Sequence, residues 1–87
     1  DYNPNHVEAN FKLGLICLGS DMPRKAVSYL KTARRNAPKN TRVLLQLGVA
    51  YEKLQMRDRA LEVYRTIADY DALNRIARQK IRLLSGT

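Results

Sequence analysis

Apolar residues recur three and four positions apart along most of the chain, and nowhere do they alternate with polar ones over the length of a strand. That spacing places them on one face of a helix. The first such run covers residues 6–18 and meets Gly19-Ser20-Asp21, a cluster that predicts a turn. A second helix is expected from there to Asn36, with Asp21 as its N-cap, Pro23 in the first turn, where its missing N–H has no partner to lose, and Pro38 as its stop. Residues 41–54 and 57–69 predict a second pair, capped by Asn40 and joined through Gln55-Met56, a turn without glycine. A fifth helix is expected over residues 72–84 with Asp71 as N-cap. It gathers Leu73, Ile76, Ala77, Ile81 and Leu84 on one side and Arg75, Arg78, Gln79 and Arg82 on the other, the amphipathic pattern of a helix that closes a stack.

Shifting the chain against itself by 34 residues aligns Leu13 with Leu47, Gly14 with Gly48, Ala26 with Ala60 and Pro4 with Pro38. Softer matches keep the same register, among them Phe11 with Leu45, Leu15 with Val49 and Leu30 with Tyr64. A period of this length marks stacked supersecondary units. Glycine inside a helix costs about 1 kcal/mol relative to alanine, so two glycines in register need a compensating reason. Gly14 and Gly48 facing Ala26 and Ala60 would let the two helices of each hairpin approach closely.

The second unit reads Leu44, Leu47-Gly48, Tyr51, Ala60, Tyr64, Ile67 and Ala72, and the first reads Asn10, Leu13-Gly14, Cys17, Ala26, Leu30, Ala33 and Pro38. This order resembles the tetratricopeptide repeat (TPR), over nearly all of residues 1–84. The resemblance implies an all-α fold, an α–α superhelix of two helix-turn-helix repeats with a C-terminal capping helix, cut from a longer array. On that reading residues 1–6 end a preceding repeat, 7–40 and 41–71 are the two repeats, and 72–87 form the capping helix and tail. Asn10 and Cys17 depart from the bulky residue and tyrosine usual at those positions, which leaves the first repeat a smaller interior face.

Composition narrows the chemistry. The 87 residues carry 45% hydrophobic and 28% charged side chains, the balance of a folded domain. The longest nearly apolar run, Leu13 to Gly19, is far shorter than the roughly 20 residues that cross a bilayer. A single cysteine, Cys17, makes no internal disulfide, and at a core position it reads as a small buried hydrophobe. The one histidine, His6, stands at a helix start without companions that would make a metal or acid–base site. Asp69 and Asp71 flank Tyr70, but capping explains Asp71 more simply than catalysis does. No phosphate-binding glycine loop follows a strand. The chain therefore reads as a non-enzyme without a metal or cofactor.

Two surfaces remain. In arrays of the kind resembled, the first helix of each repeat lines a concave face that takes peptides or protein segments. Here the free arc of those helices holds Phe11, Lys12, Leu15, Arg42, Leu45, Gln46, Val49 and Lys53, with Lys80 at the edge. Phe11 and Leu45 are the expected anchors, and the cations would select an acidic or amphipathic protein or peptide partner. The lysine and asparagine pattern that clamps a C-terminal carboxylate is absent. The second surface follows from the net charge of +8: Arg24, Lys25, Lys31, Arg34, Arg35, Arg57, Arg59 and Arg65 fall on the outer helices and turns. Such charges usually solvate a helix face; the alternative is an anion-directed surface for an acidic protein or a peripheral membrane contact. Nucleic acid ranks low because no aromatics interleave with the cations. Weak self-association is also expected, since the first helix would lack the neighbour that a preceding repeat supplies.

Overall fold

A computed structural model of the chain describes residues 6–86. Among them are five α-helices and no strand: α1 Val7–Gly19, α2 Pro23–Asn36, α3 Thr41–Lys53, α4 Arg57–Tyr70 and α5 Arg75–Ser85. Pro4 and the Asn3-Pro4-Asn5 junction lie outside the described residues. Each helix packs on the next, and α1 also touches α3. An ion pair from Lys80 to Glu52 links α5 to α3. The helices thus form two layers, with α1, α3 and α5 in one and α2 and α4 in the other.

The hairpins are held by the close approach that the paired glycines suggest. A Cβ built on Gly14 would lie 2.6 Å from Leu30 Cγ, and one on Gly48 would lie 2.5 Å from Tyr64 Cζ. Neither distance is compatible with a side chain, so the α2 and α4 residues occupy the space that alanine would need. Ala26, Leu30, Ala60 and Tyr64 are completely buried, together with Ala33, Leu47 and Ile67. The core is therefore a seam that runs from hairpin to hairpin.

Helix starts in the first layer share one device. His6, Asn40 and Asn74 stand 34 residues apart, and each side chain accepts the amide N–H three residues on, from Ala9, Val43 and Ala77. Such caps satisfy one of the four amides that a helix start leaves without a partner. This corrects the expected start of the fifth helix. Asp71 ends α4, its carbonyl accepts the Asn74 N–H at 3.0 Å, and α5 begins only at Arg75. The register of the repeat decides the matter, since Asn74 stands where Asn40 and His6 do. Leu73 consequently lies outside the helix and is 82% exposed, and Ile76 is 51% exposed, while Ala77, Ile81 and Leu84 pack inward.

Both hairpin turns also share one geometry, which corrects the role assigned to Asp21. Asp21 caps nothing; it adopts a left-handed conformation with φ 59°, and Gln55, 34 residues on, does the same with φ 63°. The left-handed residue lets the next amide reach back to close the helix end. Met22 N–H donates to the Cys17 carbonyl at 2.8 Å, and Met56 N–H donates to the Tyr51 carbonyl at 2.9 Å. With the backbone committed in this way, Met22 and Met56 become the N-caps of α2 and α4, and neither makes a side-chain capping bond.

Two outcomes test this account. Gly48→Leu should unfold the chain or lower its stability severely, because Tyr64 has no room to retreat; an unchanged melting temperature would refute the close-approach argument. Gln55→Gly should instead raise stability by about 1 kcal/mol, relieving the left-handed conformation of a residue with a Cβ. Urea unfolding reads the second effect, and a midpoint that fails to rise would show that no strain is held there.

Candidate functional site

The exposed face of the first layer is ordered by the repeat register. Leu15, Val49 and Leu83 occupy one position of the 34-residue register on α1, α3 and α5, and Lys12, Gln46 and Lys80 another. The apolar set is partly open. Leu15 is 38% and Leu83 63% exposed, with Val49 half-buried between them. Lys12, Arg42 and Lys53 are exposed around it, and Gln46 is half-buried.

Phe11 does not stand on this open face. It is buried, and the Arg42 guanidinium lies over its ring at 4.8 Å from the centroid. Its side chain belongs to the contact between α1 and α3, so an exposed anchor is not available at that position. Leu45, its counterpart in the second repeat, is half-buried against the core. Leu83, by contrast, was not anticipated as a member of the face. The 34-residue shift from Val49 points to it.

Lys80 is committed elsewhere. Its Nζ lies 3.2 Å from Glu52 Oε2, and the same carboxylate accepts the Tyr64 hydroxyl at 2.5 Å. One carboxylate of α3 thereby joins α4 to α5. Burial pushes the Tyr64 phenol well above its ordinary value, and the hydrogen bond to Glu52 and the charge of that carboxylate act in the same direction.

The expected outer cations are exposed at Arg24, Lys25, Lys31, Arg35, Arg59 and Arg65, and Arg34 is half-buried. Arg57 has a structural bond: its Nε donates to the Leu84 carbonyl at 2.5 Å, covering the end of α5. His6 caps α1 through Nδ1 at 3.1 Å from the Ala9 amide, and Cys17 is a buried free thiol. Among the described residues no group of three His, Cys, Asp or Glu side chains gathers, and no helix is long and apolar enough to cross a membrane. On α1, Ile16 is 63% exposed where its counterpart Ala50 is completely buried, so one flank of the first helix is open.

A family model for the tetratricopeptide repeat matches residues 18–82. No curated protein matches the chain.

The Tyr64 contact predicts an alkaline weakness. An unfolded tyrosine loses its proton near pH 10, whereas folded Tyr64 keeps it there, so the folded form binds more protons and stability falls as pH rises above about 10. Below that pH the contribution is fully present. Tyr64→Phe should cost about 1 kcal/mol at neutral pH through the lost hydrogen bond, and should flatten the fall in melting temperature between about pH 9 and 11. Equal alkaline slopes for the two proteins would remove Tyr64 as the cause.

Proposed function

The chain belongs to the tetratricopeptide-repeat family, whose repeats are generally protein-interaction modules, and we propose that it holds a segment of another protein along the face made by α1, α3 and α5. The observation that carries this reading is that one register position of α1, α3 and α5 holds apolar residues, of which Leu15 and Leu83 are exposed. They are left open at matching positions of the register, beside Ile76 on the same helix as Leu83. Isolated exposed apolar residues are ordinary, but an aligned set rimmed by charge has the form of an interaction surface.

The burial of Phe11 moves the anchors. Leu15 and Leu83 replace it, with Val49 as the floor between them and Leu45 contributing only its exposed part. Lys12, Arg42 and Lys53 form the rim and favour an acidic or amphipathic segment. Buried apolar anchors supply most of the affinity at such a face, while rim charges act chiefly on association rate and salt dependence. The family is typically a non-catalytic scaffold, and this reading requires no chemistry from the chain.

A peptide-display selection on the isolated chain tests the proposal. Enriched peptides should carry apolar residues among acidic ones, and should shift the amide resonances of α1, α3 and α5. Leu15→Asp with Leu83→Asp should weaken them at least tenfold, about 1.4 kcal/mol, with helix content unchanged because both side chains are already exposed. Peptides that map instead to α2 and α4, and that ignore the double substitution, would overturn the reading.

A further inference from the structure

On the opposite layer, between α2, the end of α3 and the start of α4, the surface dips into a depression of about 270 Å³. Arg24, Lys31 and Arg59 line it together with Val27, Tyr51, Leu54 and Met56, and no acidic residue does. All three cations are exposed, and none has an ion-pair partner among the described residues. Three positive charges therefore converge on one hollow without compensation.

Two further features bear on the hollow. Tyr51 is only 4% exposed, and its hydroxyl makes no hydrogen bond among the described residues, yet no buried polar side-chain atom lacks a partner. The hydroxyl of this buried ring must then emerge at the surface, and the surface that Tyr51 lines is the depression. The second feature is the start of α4. Met56, its N-cap, offers no side-chain acceptor, so the amides of Arg57, Asp58 and Arg59 are left without the cap that α3 and α5 possess. Uncapped amides and the positive end of the helix dipole favour an anion. Arg57 and Asp58 line a neighbouring depression that shares Met56 and Arg59 with the hollow, so Asp58 stands beside it without lining it.

We propose that this depression binds the phosphorylated side chain of a partner protein, a proposal that rests on the reading of the chain as a protein-binding module. The charge selects the ligand. A phosphate monoester carries about −1.5 to −2 at neutral pH and three acceptor oxygens, which suits two guanidiniums, an ammonium, a free hydroxyl and a helix start better than one carboxylate does. Arginine adds paired, planar donors for phosphate oxygens. Val27, Leu54 and Met56 supply an apolar wall for the stem beneath the phosphate, and an aromatic ring uses that wall best. Phosphotyrosine is accordingly the preferred form.

The test titrates the isotope-labelled chain with phenyl phosphate and with a short peptide bearing one phosphotyrosine. Both should shift the amides of Arg57 to Arg59 saturably, and the unphosphorylated and glutamate-substituted peptides should bind about tenfold more weakly or worse. Arg24→Gln with Arg59→Gln should lower affinity by about tenfold or more, and Tyr51→Phe by about threefold. Leu15→Asp with Leu83→Asp should leave it unchanged, so a failure of the groove reading does not imitate a failure here. Arg75→Gln with Arg78→Gln, which removes equal charge from α5, should also have little effect. An equal loss in that control would reduce the site to diffuse attraction and overturn the proposal. Competition by phosphoinositide vesicles stronger than by the peptide would overturn it in favour of a lipid surface.

Discussion

The absence of a side chain at Gly14 and Gly48 sets the distance between the two layers. Because nothing projects from those backbones, Leu30 and Tyr64 descend onto them, and Ala26 and Ala60 let the rest of each second helix follow. A second helix lies close against the glycine of the first in both hairpins, and α5 packs on α4 beyond them. The tie at Glu52 is a consequence of that approach: the Tyr64 ring passes over Gly48, which brings its hydroxyl to the carboxylate one turn further along α3.

The turns show the same economy in the backbone. A helix end closed by a reach-back amide needs one left-handed residue, and the chain uses Asp21 and Gln55 there instead of glycine. The strain is tolerated because both turns are anchored by the hairpins on either side. It also has a side effect on the second layer. Once the turn is spent on closing the preceding helix, no side chain is positioned to cap the next, and α2 and α4 begin without a side-chain cap.

Much of this architecture was legible from a single shift of the chain against itself. Leu13-Gly14 with Leu47-Gly48 and Ala26 with Ala60 are demanded by close approach of the helices, which tolerates few alternatives, and the lack of room for a Cβ at both glycines bears that reading out. Asn40 was legible as a cap because a polar side chain beside an apolar run has few other uses. The misreadings share a cause. Asp71, Phe11 and Lys80 each have a local interpretation that is satisfactory alone, and each is overruled by a neighbouring helix. The α4 helix runs on to Tyr70 and absorbs Asp71, Arg42 covers Phe11, and Glu52 holds Lys80. Exposure on a helical wheel says which arc is free of its own hairpin; it does not say what the adjacent hairpin lays across it.

The bridge from Tyr64 through Glu52 to Lys80 has no equivalent in the first hairpin, where Leu30 fills the same space with hydrocarbon alone. Coupling between neighbouring units is therefore uneven along the stack. Three helices at one end share a polar linchpin, whereas α1 meets α3 where the Arg42 guanidinium covers the Phe11 ring, with Ile16 open on its flank. In a quasi-one-dimensional array, local opening starts where the nearest-neighbour term is weakest. Detaching any one of α3, α4 and α5 breaks a bond shared with the other two, a coupling that Leu30 does not give the first hairpin.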